Sequence, residues 1–127
     1  EGEFLVSIKL PLKNSSFSAS YERFIPRNEM DIAVAAVASS VSLENGKISS
    51  CRIALAAVGP TPIFAEEASK LLIGKEPTEE NIKNASNKAK ELASPISDMR
   101  GTVEHRKDLI EVLTRRTLSK AVERVGV

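Results

Sequence analysis

Tryptophan is absent from these 127 residues, and the aromatic side chains are one tyrosine and four phenylalanines. The core must therefore be aliphatic and rich in alanine. A single cysteine, Cys51, excludes an internal disulfide and fits a reducing cytoplasm. A single histidine, His105, leaves no basis for a His-built metal centre or a Cys–His nucleophile. It reads as a capping-turn or core-edge side chain, and neither a catalytic set nor a metal-ligand set is expected anywhere in the chain. With 18 basic against 17 acidic residues the net charge is +1, which gives no field for nucleic acid or an anionic membrane. The one basic cluster, Arg115-Arg116 with Lys120, reads as a solvated helix face. No run approaches the ~18 apolar residues of a membrane span. The six glycines are scattered, so there is no glycine-rich phosphate loop.

What is present is patterned. Glu3 to Leu10 alternates Phe4, Val6 and Ile8 with Leu5, Ser7 and Lys9, which predicts a strand closed by Pro11. The chain opens at Glu1 without a methionine and turns strand-like at once, as a piece of something longer would. A second extended stretch, Ser18 to Ile25, ends at Pro26. Ile32 to Leu43 is rich in alanine, but its valines and serines favour a strand over a helix. Asn45-Gly46, between apolar runs, predicts a type I′ hairpin into a strand over Cys51 to Val58. Three helices follow. The first covers Ile63 to Leu72. The second is capped near Thr78 and carries Ile82, Ala85, Ala89 and Leu92. The third starts after Thr102 and runs to about Val125. Acids at Glu66-Glu67, Glu79-Glu80 and Glu104 sit at helix starts, where they complement the dipole.

A two-residue Asn45-Gly46 loop opposes Glu44 to Lys47 and Leu43 to Ile48. Extending that register puts Leu43, Val41, Val37, Ala35, Ile48, Ala54, Ala56 and Val58 on one face. Ala38, Ala36, Val34, Ile32, Cys51, Ile53, Leu55 and Ala57 then share the other. Both faces would be apolar, so something must cover the second. Strands followed by helices make the expected fold α+β: one domain over 1–127, an antiparallel sheet of three to four strands with three helices on one face.

Three motifs stand out along this scaffold: Tyr21-Glu22-Arg23 with Arg27 and Asp31, Arg52 to Ala65 (R-I-A-L-A-A-V-G-P-T-P-I-F-A), and Asp98 to Arg106 (D-M-R-G-T-V-E-H-R). In this order and spacing they resemble Y-x-K/R … R … D-x-A, R-I-A-L-G-G-V-A-P-T-P and D-x-R-G-S-x-x-Y-R. These are patterns of the C-terminal domain of the FAD-binding medium subunit in the xanthine dehydrogenase and carbon monoxide dehydrogenase family. The resemblance covers roughly Ser18 to Val122. It implies a flavoprotein domain that packs beside an N-terminal FAD-binding domain lying outside this chain. It also implies a [2Fe-2S] small subunit and a molybdopterin large subunit as partners, with electrons passing through the clusters to FAD and on to an acceptor. Arg23 matches the family's basic residue at the flavin edge. Ala56-Ala57 replaces the pattern's Gly-Gly, and His105 replaces its tyrosine. The competing reading is an autonomous interaction module whose second sheet face is a dimer interface.

Overall fold

The structure is a computed structural model that describes residues 2–9, 16–27 and 30–125. Its sheet has four antiparallel strands in sequential order, β1 (Phe17–Phe24), β2 (Ala35–Glu44), β3 (Lys47–Ala56) and β4 (Ile63–Phe64). The helices are α1 (Glu66–Lys70), α2 (Glu79–Leu92) and α3 (Val103–Glu123). Helix α3 lies across β1 and β2, α1 rests on β3, and α2 packs against both helices. This is the expected α+β arrangement.

The hairpin turn has Asn45 at φ 51° and Gly46 at φ 76°, the pair of positive values that a type I′ turn requires. The expected register holds for Glu44↔Lys47 and Leu43↔Ile48, and then slips. Ser42 pairs with Ser50 and Val41 with Cys51, so Ser49 is an extra residue on β3. Its hydroxyl donates to the Ser42 carbonyl at 3.3 Å. One inserted residue changes the parity of everything after it. Val37, Val41, Cys51, Ile53 and Leu55 therefore share the face turned to the helices with Ile48, and all are buried. The opposite face carries Ala36, Ala38, Ser40, Arg52, Ala54 and Ala56. Ala38, Arg52 and Ala54 are exposed there. The expectation of two apolar faces is thus corrected: the large aliphatic side chains gather on one face, and the other is mostly alanine with Ser40 and Arg52.

Burial on the helix side is dense. Ile48, Ile53, Leu55, Leu72, Ile110 and Leu118 are fully buried, each contributing roughly 1.5–3 kcal/mol relative to exposure. Small side chains let α3 approach β2, where Ser39 and Thr117 share a buried hydrogen bond of 2.7 Å. Thr78 and Thr102 cap α2 and α3 by accepting from the backbone N–H of Asn81 and His105.

Two expected elements change. The helix expected over Ile63 to Leu72 is shorter, because Ile63 and Phe64 pair with Leu55 and Ala54 as β4. Ser69 then ties α1 to β3, its hydroxyl accepting from Ile53 N–H at 3.0 Å and donating to the Ala65 carbonyl at 2.8 Å. The strand expected over Glu3 to Leu10 is not formed over 3–9, where Phe4, Val6 and Ile8 stand in solvent; Leu10 lies outside the described residues. Alternation specifies a strand only where a neighbouring ladder can satisfy its backbone, and no strand of this sheet pairs with it.

Candidate functional site

The motif segments meet at one end of the sheet, around Arg106. The first turn of α3 carries this side chain beneath the start of β2 and the end of β3, where it is only 5% exposed. Its Nη1 donates to the Val34 carbonyl at 2.9 Å and the Ala57 carbonyl at 3.3 Å, and its Nη2 to Asp98 Oδ1 at 2.7 Å. Among the described residues its Nε has no partner. Asp98 Oδ1 also accepts from Arg100 N–H at 2.8 Å. The Arg106 guanidinium, and then that backbone donor, hold the Asp98 carboxyl below the usual carboxylate range. Asp98 and Gly101 exchange two backbone hydrogen bonds of 3.1 Å. A Cβ at Gly101 would stand 3.1 Å from the ring of His105, which meets Phe24 edge-on. The Asp98 carboxylate and both terminal nitrogens of Arg106 are thus engaged in shaping the turn and in joining α3 to the sheet.

Ala57 adopts φ 62°, a left-handed conformation that costs an L-residue roughly 1–2 kcal/mol. It occupies the second glycine position of the Gly-Gly pattern, so the geometry supplies a reason for glycine there. The Arg106 bond to its carbonyl helps to hold the strained residue. Nearby, Asp31 accepts from both Arg27 Nε and Arg27 N–H, and from Ile32 N–H. These donors, the Arg27 side chain first, keep the Asp31 carboxyl below its ordinary range. Arg27 and Asp31 therefore complete one another within their own turn.

The other sheet face is arranged differently. Across it, Arg23 stands opposite Ala36 and Ala56, while Tyr21 stands in a row with Ala38, Ala54 and Phe64. The Arg52 guanidinium lies 5.2 Å from the centre of the Phe64 ring. The result is a trough of about 510 Å³ with an alanine and serine floor and walls from Tyr21, Phe64, Arg52 and Arg124. Arg23 lies one row along, exposed, with no hydrogen bond or ion pair to its guanidinium among the described residues. Sequence reasoning singled out Arg23 and did not anticipate the trough, whose signal was Arg52, the one charge in the otherwise apolar stretch from Cys51 to Val58. It placed Arg106 at the end of the Asp98 motif but could not show its clamp on the sheet, because its neighbours Glu104, His105, Lys107 and Asp108 are as polar as it is.

Cys51 packs in the core, where burial pushes its thiol up to about 12, so it stays protonated and inert. The described residues contain no group of His, Cys, Asp and Glu suited to a metal, and no helix among them is long and apolar enough to cross a membrane.

The profile of the CO dehydrogenase flavoprotein C-terminal domain matches residues 20–121. The carbon monoxide dehydrogenase medium chain of Afipia carboxidovorans is 33% identical over 97% of this chain and 42% of its own length. The xanthine dehydrogenase FAD-binding subunit of Escherichia coli O157:H7 is 26% identical over 98% of this chain and 43% of its own. A solved carbon monoxide dehydrogenase from Hydrogenophaga pseudoflava, lacking the Mo-pyranopterin moiety of its cofactor, superposes with a TM-score of 0.87 at 29% identity. That match covers 91% of this chain and 40% of the solved one. The chain thus spans about two-fifths of the length of these relatives. By profile, sequence and fold alike, it belongs to the CO dehydrogenase flavoprotein C-terminal domain family.

Proposed function

We propose that this chain is the C-terminal domain of the flavin subunit of a molybdenum-hydroxylase-type oxidoreductase, and that it packs against an N-terminal FAD-binding domain of the same subunit. The observation that carries this reading is Arg23, exposed on the open sheet face with no hydrogen bond or ion pair to its guanidinium among the described residues. A cation with no counter-charge among the described residues fits the edge of a flavin. Bound FAD would supply the redox chemistry, taking electrons from [2Fe-2S] clusters in a small subunit that receive them from molybdopterin in a large one. Arg23 would favour the anionic reduced flavin through its charge. The domain itself contributes no catalytic residue.

A freestanding dimerisation module is the weaker reading. It drew on a second apolar face, and the Ser49 bulge replaces that face with alanine, serine and arginine. The test is flavin content. The purified 127-residue domain should show no flavin absorbance, whereas the full-length subunit should carry FAD. Stoichiometric FAD on the isolated domain, or none on the full subunit, would overturn the proposal.

A further inference from the structure

Residues 2–9 carry a pattern that the fold and the flavin contact leave unused. Phe4, Val6 and Ile8 are 84%, 83% and 73% exposed. Ser7 and Lys9 alternate with them, so one side of the segment is wholly apolar and the other amphipathic. That is the signature of a half-buried strand without its partner. Large apolar side chains in such a row mark a docking surface. The domain's own sheet does not supply the partner. Its β4 edge is two residues long. At the β1 edge the Ala19 carbonyl accepts from Arg124 Nη1, and the segment forms no bridge to β1.

The family profile begins at residue 20, yet the relatives align over 97% and 98% of the chain, so their alignments extend into this segment. Those relatives are also more than twice as long as the chain. We infer that residues 3–9 form a strand added to the edge of a sheet in the remainder of the same subunit, with Phe4, Val6 and Ile8 entering that domain's core. Main-chain ladder bonds would supply affinity and the alternate side chains register. Six residues separate Lys9 from Ser16, a reach of at most about 25 Å. A partner sheet within that reach is met at high effective concentration, which favours it over a second copy of the chain. The strand would then tie the two domains together by structure as well as by chain. The inference rests on the reading of this chain as one part of a longer flavin subunit.

Amide hydrogen exchange on the full-length subunit tests it. The amides of residues 4–9 should exchange on the order of 100-fold more slowly than in an unstructured peptide, whatever the protein concentration. Val6→Asp should remove that protection while leaving the β2 and β3 amides unchanged, and Ser7→Asp on the other side should preserve it. Exchange at the unstructured rate in the wild-type subunit would overturn the inference. So would protection that appears only as concentration rises, which would assign the strand to a second copy. Flavin content in the same samples separates the two proposals. Protected 4–9 without flavin would sink the flavin reading alone, and bound flavin with unprotected 4–9 would sink the strand alone.

Discussion

Arg106 and Arg23 belong to motifs of the same family pattern, and their surroundings are opposite. Arg106 is buried and spends three hydrogen bonds joining α3, the Asp98 turn and the ends of β2 and β3. Arg23 is exposed on the far side of the sheet, and its guanidinium has no partner among the described residues. The contrast separates two reasons for an arginine in a motif. One holds this domain together; the other is available to something outside it. The same division runs along β3, where Ile53 faces the helices and Arg52 and Ala54 face the open trough.

Substitutions that respect or cross this division should have very different costs. Ile53→Ala is expected to be the most damaging, at about 2–5 kcal/mol in denaturant unfolding, because it leaves a cavity under a fully buried side chain. Arg52→Ala, one residue away on the exposed face, should cost less than about 1 kcal/mol. An equal loss from both would mean that the face assignment is wrong. Arg106→Ala should cost about 3 kcal/mol, since it strands the Val34 and Ala57 carbonyls. Arg23→Ala should stay within about 0.5 kcal/mol of wild type. A severe loss from Arg23→Ala would give that residue a structural role and end the comparison.

Much of this division was legible in the residues, and part was not. Asn45-Gly46 revealed the hairpin because both residues accept the positive φ that a type I′ turn requires. The threonine caps at 78 and 102 were equally readable, because a hydroxyl before acids answers the unpaired amides of a helix start. The bulge was not readable. Ser49 and Ser50 are both small and polar, so neither marks itself as the extra residue, and without it the two faces were mixed. Ile63 and Phe64 also match a helical spacing; their pairing with Leu55 and Ala54 is a tertiary outcome that no local pattern shows. The trough was hidden for the same reason as the bulge, since it exists only once parity places Arg52, Ala54 and Phe64 beside Tyr21.

Smaller effects sharpen the clamp half of the comparison. Ala57→Gly should raise stability by about 0.5–1 kcal/mol, because glycine accepts the left-handed conformation without a Cβ penalty and only part of that gain is lost to the freer unfolded chain. Destabilisation would show that Ala57 is held without strain. The Asp98 and Asp31 carboxyls lie below their ordinary range when folded, so each stabilises the fold above the unfolded value of about 4. That contribution should drain away as pH falls below about 4 and through the folded values. In Arg106→Ala, the Asp98 share of the acid loss should shrink, which a pH series of unfolding midpoints would detect.

The central claim is that Arg23, unpaired among the described residues, addresses a flavin held by the rest of the subunit. Its most direct test is the flavin reduction potential of the full-length subunit carrying Arg23, Arg23→Lys or Arg23→Ala. A cation at the edge of the ring stabilises the reduced anion. The alanine variant should therefore have a lower potential by on the order of 20–30 mV, about 1 kcal/mol for a two-electron couple, with lysine close to wild type. Identical potentials in all three would contradict the account and remove Arg23 from the flavin site.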